Sequence, residues 1–268
     1  MTTATIDSAR PTYRVTFPRV LRSEWAKMWS LRSTWITLGL SLLFLIVVGV
    51  VAGASHGTAG GKPGSTASDA VSISVAGLDF AQLAIGVLGV LISAGEYSTG
   101  TIRATVAAVP TRLPVLAAKA AVLAPVTFVV SLVGVFASFL IDERLLHGTT
   151  LYLSISHTGV VRSLLGAAAY LALVSVLGVS LGVLLRSAAG SIGALVFGLM
   201  LLPVLTDLLS TRWKNDINPY LPSQAGGSMY SLDHAVNTLA AGSGALVLVA
   251  WIVAALVGAG ARLKRSDV

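Results

Sequence analysis

The sequence predicts an all-α integral membrane protein: six transmembrane helices preceded by an amphipathic helix in the membrane interface. Three observations predict it: composition, the length of the apolar runs, and the placement of lysine and arginine. Over 268 residues, 55% are hydrophobic and only 11% charged, with a mean hydropathy of +0.85. Soluble domains carry about 25% charged residues, and so few charges could not cover so much apolar surface in water.

A hydrocarbon core about 30 Å thick needs roughly 20 helical residues. Six runs of that length appear, at Thr34–Ala54, Ala76–Gly95, Pro114–Ile141, Val160–Leu185, Ala188–Leu209 and Leu239–Ala261. The third is long enough to tilt or to extend beyond the bilayer. It carries Pro125 near its middle, and the fifth carries Pro203, each an expected kink. A β-barrel would need alternating strands of about ten residues, and these runs are continuous. Ala52-Gly53-Ala54 fits a small-residue cleavage site, but the run before it is longer than a signal core, so the first run is read as a retained helix.

Orientation follows from the positive-inside rule. With six spans, thirteen of the eighteen lysines and arginines fall on the side of the termini. Both termini are therefore expected in the cytoplasm. The expected organisation is a cytoplasmic tail over 1–16, an interfacial helix over 17–32 and a membrane domain over 33–262, with a closing tail over 263–268. Within the membrane domain lie a cytoplasmic connection over 96–113 and outer loops over about 55–75, 142–159 and 210–238. The last loop contains Asn218-Pro219-Tyr220-Leu221-Pro222-Ser223 and is expected to pack on the outer face.

Phe17–Leu31 is amphipathic. Phe17, Val20, Leu21, Trp25, Met28, Trp29 and Leu31 share half the helical wheel, and Arg19, Arg22 and Lys27 lie mostly opposite. Such a helix lies at headgroup level against anionic lipid. Glu24 breaks the pattern by falling on the apolar arc, where a carboxylate needs a base or another chain as partner.

The chemistry that is missing narrows the function. There are no cysteines, hence no disulfide or thiolate metal site. His56, His147, His157 and His234 fall in or beside outer loops without ligand spacing, so no metal site is assigned. Gly61-Lys62 is the nearest approach to a P-loop, but His56 stands where the first glycine belongs and Pro63 follows. No nucleophile motif surrounds any serine, so no catalytic residue is assigned, and the basic charge belongs to membrane topology rather than to nucleic acid. Asp79, Asp207 and Arg162 lie near outer helix ends, and the span interiors read as nearly free of charge. That counts against a secondary transporter or channel working alone. Gln82, Thr127, Ser131, Ser138, Ser175 and Ser180 could line a path, but such residues more often bond helix backbone or serve packing. Gly49-x3-Gly53 and Gly178-x3-Gly182 would allow helices to approach closely.

The connection Glu96-Tyr97-Ser98-Thr99-Gly100-Thr101-Ile102-Arg103, with Pro110-Thr111-Arg112 and Lys119 after it, reads as a short polar helix at the membrane surface. This pattern resembles the second-to-third helix connection of ABC-2 type transporter permeases. Ser23-Glu24-Trp25-x-Lys27 resembles their connecting helix, and Tyr220-Leu221-Pro222-Ser223-Gln224-Ala225-Gly226 resembles those of high-GC bacteria. The resemblance covers nearly the whole chain. It implies an ABC-2 (type V exporter-like) permease fold in a bacterial cytoplasmic membrane. It implies two copies of a separate ABC ATPase, which would supply ATP and Mg, and a second permease subunit, identical or closely related. It also implies that Glu96, Gly100, Thr101 and Arg103 shape and anchor a coupling helix. Pro110 and Arg112 would set the start of the third span, with Lys119 near its cytoplasmic end. Glu24, Trp25 and Lys27 would belong to the connecting helix that meets this region or the ATPase. The expected activity is ATP-driven export of an apolar or amphipathic substrate such as a drug, antibiotic or lipid. The competing readings are a secondary transporter or channel without ATPase, and a membrane scaffold, sensor or immunity component that transports nothing.

Overall fold

The structure is a computed structural model that describes residues 16–58, 69–109, 111–208, 211–232 and 238–265. The outer parts of the expected tails, Pro110, His234 and most of the first outer loop lie outside these residues. Every regular element among the described residues is helical, and six helices are long and apolar enough to cross a bilayer.

The chain begins with α1 (Phe17–Ser30), whose Pro18 sits in the first turn, where no backbone donor is needed. Extended Leu31 separates it from α2 (Arg32–Thr58), the first span. A short α3 (Asp69–Ser74) precedes α4 (Leu78–Ser98), the second span, and α5 (Ile102–Ala108) follows at its end. The third and fourth spans are α6 (Leu113–Leu145) and α7 (Val160–Leu185). The fifth is built from α8 (Ala188–Val196), a π-helical turn over Phe197–Leu201, and α9 (Leu202–Leu208). Then come α10 (Thr211–Asp216), a 3-10 turn at Asn218–Tyr220, α11 (Pro222–Gly227) and the sixth span, α12 (Ala241–Arg265).

The two prolines act differently. Pro125 lies inside α6, which continues through it. Pro203 is the second residue after the π turn. Its ring lacks the N–H that would bond Leu199 O and crowds that carbonyl, and a wider turn absorbs both defects.

The most deeply buried span is α7, against which α4, α6 and α12 pack. Glycines set the closeness of these contacts. A Cβ on Gly178 would overlap Gly86 O, one on Gly89 would overlap Ser175 O, and one on Gly182 would overlap Ser93 Oγ. The backbones of α4 and α7 therefore touch, as small residues permit where lipid offers no hydrophobic drive. On α2, Gly49 faces Ser138 and Ser74 O, and Gly53 faces Asp142. Both small-residue repeats seen in the sequence are helix contacts.

We call the end carrying α1, α5 and the last turn of α12 proximal, and the opposite end distal. At the distal end α11 is wedged between α7 and α12: Gly226 lies against the Tyr170 ring and Gly244 against Ala225 O. Trp251 Nε1 donates to Tyr220 O at 2.9 Å, and Arg162 Nη2 donates to Ser231 O at 2.8 Å. The loop with two prolines thus packs onto the bundle.

One expectation needs correcting. The interiors are not free of charge, because α6 runs four residues beyond the apolar run and carries Asp142 inside the bundle at 1% exposure. Lys119, at 4%, is also buried within α6. Hydropathy ended the run at Ile141 because Asp142, Glu143 and Arg144 follow in succession, whereas the helix ends only where its hydrogen bonding does.

Candidate functional site

The six polar residues considered as path-lining are all buried. Thr127 Oγ1 donates within 3.0 Å of Leu123 O and lies 3.2 Å from Ser175 Oγ. Ser180 bonds Val176 O and Ser175 bonds Ala172 O. Ser138 bonds Ser74 O, and Gln82 accepts from the Tyr170 hydroxyl. These five are bonded within the bundle, whereas Ser131 Oγ is buried without a hydrogen-bond partner among the described residues.

The proximal end holds a different kind of cluster. The face that α1 buries is the narrow stripe Val20, Glu24 and Met28, spaced four apart. Phe17, Trp25 and Leu31, on the same broad apolar arc, stay exposed. Glu24 therefore sits in the middle of the contact with the bundle, at 3% exposure. Its partner is a base from the same chain. Lys119 Nζ, on α6, donates to Glu24 Oε2 at 2.7 Å. Lys27 Nζ, one turn along α1, donates to Glu24 Oε1 at 2.7 Å. Both ammonium groups also reach Glu96 Oε1 on α4, each at 2.8 Å. Two carboxylates and two ammoniums thus alternate around a closed ring of zero net charge.

The ring has two further attachments. Lys119 reaches Ile92 O at 3.3 Å, and Lys27 reaches Thr105 Oγ1 of α5 at 3.3 Å. Glu96 Oε2 is buried without a hydrogen-bond partner among the described residues, beside a cavity of ≈ 10 Å³ lined by Ser93, Glu96 and Lys119. That is room for about one water. Burial alone would lower the Lys27 pKa, but hydrogen bonds and charge from Glu24 and Glu96 outweigh it and hold it above the ordinary lysine value.

Around the ring, the turn from α4 to α5 is made by Gly100 at φ +74°. A Cβ there would meet nothing within 4 Å, so glycine serves the backbone conformation and not a close approach. Thr101 occupies the N-cap position of α5 without a side-chain capping bond, and its hydroxyl lies 2.9 Å from Thr99 Oγ1. Arg103 is exposed and does not join the ring; with Ala104, Ala107 and Ala108 it forms the exposed face of α5. Arg112 takes a positive φ of 54° at the start of α6, and its Nη1 donates to Leu263 O at 2.8 Å, tying α6 to the end of α12. The Arg186 guanidinium lies 5.3 Å from the centre of the Tyr97 ring. The Trp25 ring stands 5.2 Å from Trp29, which stands 4.2 Å from Trp35 on α2. The structure thus joins Glu24, Lys27, Glu96 and Lys119, sets Gly100, Thr101 and Arg112 around them, and leaves Trp25 and Arg103 at the surface.

Sequence reasoning missed Thr105 and the carbonyl of Leu263. Thr105 lies two residues beyond Arg103 in a segment whose orientation only the fold defines, and a backbone carbonyl leaves no mark in a sequence.

The four residues of the ring and the segment around Gly100, Thr101 and Arg112 fall within a match to the family described as ABC-2 family transporter protein, which spans residues 20–215. The chain belongs to the ABC-2 transporter family. It is accordingly a permease component of an ABC transporter and a multi-pass membrane protein. None of the curated proteins matches the chain.

Proposed function

We propose that this ABC-2 permease exports an apolar or amphipathic substrate, driven by a separate ABC ATPase that docks on the proximal segment 99–112. The observation that carries this reading is the ring of Glu24, Lys27, Glu96 and Lys119. It gathers α1, α4 and α6 at one point and contacts α5 through Thr105. A push on the exposed face of α5 would therefore be felt by two spans and by the interfacial helix together. Arg103 and its alanine neighbours supply a smooth face with one cation, suited to a partner groove with an acidic residue. The ATP and Mg belong to that partner, two copies of it act on two permease subunits, and the proximal end faces the cytoplasm.

The reading is tested by co-expressing the chain with an ABC ATPase encoded near its gene. Arg103→Ala is expected to weaken co-purification. Glu96→Ala is expected to leave an assembled complex whose ATPase rate no longer responds to substrate. If no such ATPase co-purifies with the wild-type chain, the docking assignment is wrong. If Glu96→Ala keeps full stimulation, the ring does not transmit the stroke.

A further inference from the structure

Asp142 is a buried carboxylate that the proximal machinery does not use. It lies near the distal end of α6 at 1% exposure, and neither carboxylate oxygen has a hydrogen-bond partner among the described residues. The carboxyl is pressed onto the bare backbone of Gly53, where a Cβ would overlap Oδ1. One turn back on α6, Ser138 Oγ donates to Ser74 O at 2.7 Å, fixing α3 against the same shelf. The polar group beside Asp142 is the Ser74 hydroxyl, which already donates to Ala70 O at 2.9 Å. A hydroxyl carries lone pairs that can accept from a protonated carboxyl.

Among the described residues, the charged groups of the surrounding elements do not compensate. On α2, His56 bonds Ala52 O. On α7, Arg162 bonds Met229 O and Ser231 O. On α6 itself, Glu143 accepts from Ile155 N and Arg144 is exposed. Asp69 heads α3, and Asp79 opens α4 and accepts from Gln82. An ionised carboxylate in this position would lack solvent and any charged partner among the described residues, a cost of several kcal/mol or more. A divalent ion would need several oxygen or nitrogen ligands, and no group of three or more His, Cys, Asp or Glu gathers among the described residues. Gly53 also closes one side of the carboxyl to anything larger than a hydrogen atom.

We infer that Asp142 is a proton-binding site: its carboxyl is neutral while α2 is packed on α6, with the Ser74 hydroxyl beside it, and releases its proton when the helices part and water enters. An ionisable residue inside a membrane bundle marks a functional site by default, and here the ligand that fits is a proton. Any distal opening that separates α2 from α6 would then be linked to proton release and would be favoured by a less acidic distal medium.

Infrared spectroscopy of the purified chain in lipid nanodiscs at neutral pH tests this. The wild type is expected to show the carbonyl stretch of a protonated carboxyl, shifted in D2O, and Asp142→Asn is expected to lose it. No such band in the wild type, or a band that persists in Asp142→Asn, overturns the inference. Should that variant fail to fold, Ser74→Ala decides. It removes the neighbouring hydroxyl and moves the band if Asp142 makes it; an unmoved band overturns the inference equally.

Discussion

Lys119 Nζ lies 2.7 Å from Glu24 Oε2, with both side chains at 4% exposure or less, across a separation of 95 residues. The pair joins the interfacial helix to the third span. Around it Lys27 and Glu96 complete a neutral ring, so each charge has opposite charges on both sides. Buried pairs of this kind add little net stability over apolar isosteres, but breaking one is expensive. Lys119→Met leaves Glu24 and Glu96 with Lys27 alone and is expected to destabilise the chain by about 3–5 kcal/mol. Glu24→Leu combined with Lys119→Met should recover part of that loss. Thermal melts of the purified single and double variants measure it, and a double variant as damaged as the sum of the singles would show that the two residues are not coupled.

Lys27 is the solvent-facing member of the ring, at 39% side-chain exposure. Burial lowers its pKa and its two carboxylate partners raise it by more, so the folded value lies above the ordinary lysine value of 10.5. A group whose pKa rises on folding stabilises the fold fully below its unfolded value and loses that contribution as pH climbs through the folded value. Wild-type stability should therefore be flat in this contribution up to about pH 10.5 and fall beyond it. Lys27→Arg, which stays charged there, should lessen the fall. Melting temperatures across the alkaline range give the comparison, and equal slopes for both proteins would refute it.

The turn at Gly100 rests on a positive φ with open space around it. Gly100→Ala meets no clash, yet it forces a side chain into the left-handed region at about 1–2 kcal/mol. Asn tolerates that region better. The expected order of stability is Gly, then Asn, then Ala. The loss should be concentrated in residues 99–109, where hydrogen exchange would read it as faster opening of α5. Uniform exchange across the three proteins would mean that the turn relaxes at no cost.

What the sequence disclosed follows from which forces leave a local trace. Six spans are legible because the bilayer demands about 20 apolar residues, and Val160–Leu185 is a helix over the same range in which the run was read. Glu24 is legible as an anomaly because helical periodicity places it on the wrong arc, and its need for a partner follows from desolvation. That Lys119 answers it is not legible, since only the packing of α1 on α6 brings them together. Asp142 was hidden for the opposite reason. Three charged residues in a row resemble the end of a span, and only the glycine at position 53 makes one of them an interior group.

The contact of α4 with α7 gives a paired test of the glycine argument. At Gly178 a Cβ would overlap Gly86 O, a backbone atom that cannot rotate away. Gly178→Ala must therefore push the two helices apart and open voids along their shared face. Overpacking of this sort costs about 1–3 kcal/mol. Gly193, in α8, meets nothing within 4 Å, so Gly193→Ala gains helix propensity without a clash, worth about 0.5–1 kcal/mol. The two substitutions are chemically identical and differ only in what stands opposite. Melts of the purified chain should show the first lowering stability and the second leaving it unchanged or raised. Equal effects would mean that α4 and α7 are not in backbone contact, and with that the close core on which both ends of the permease are built would be lost.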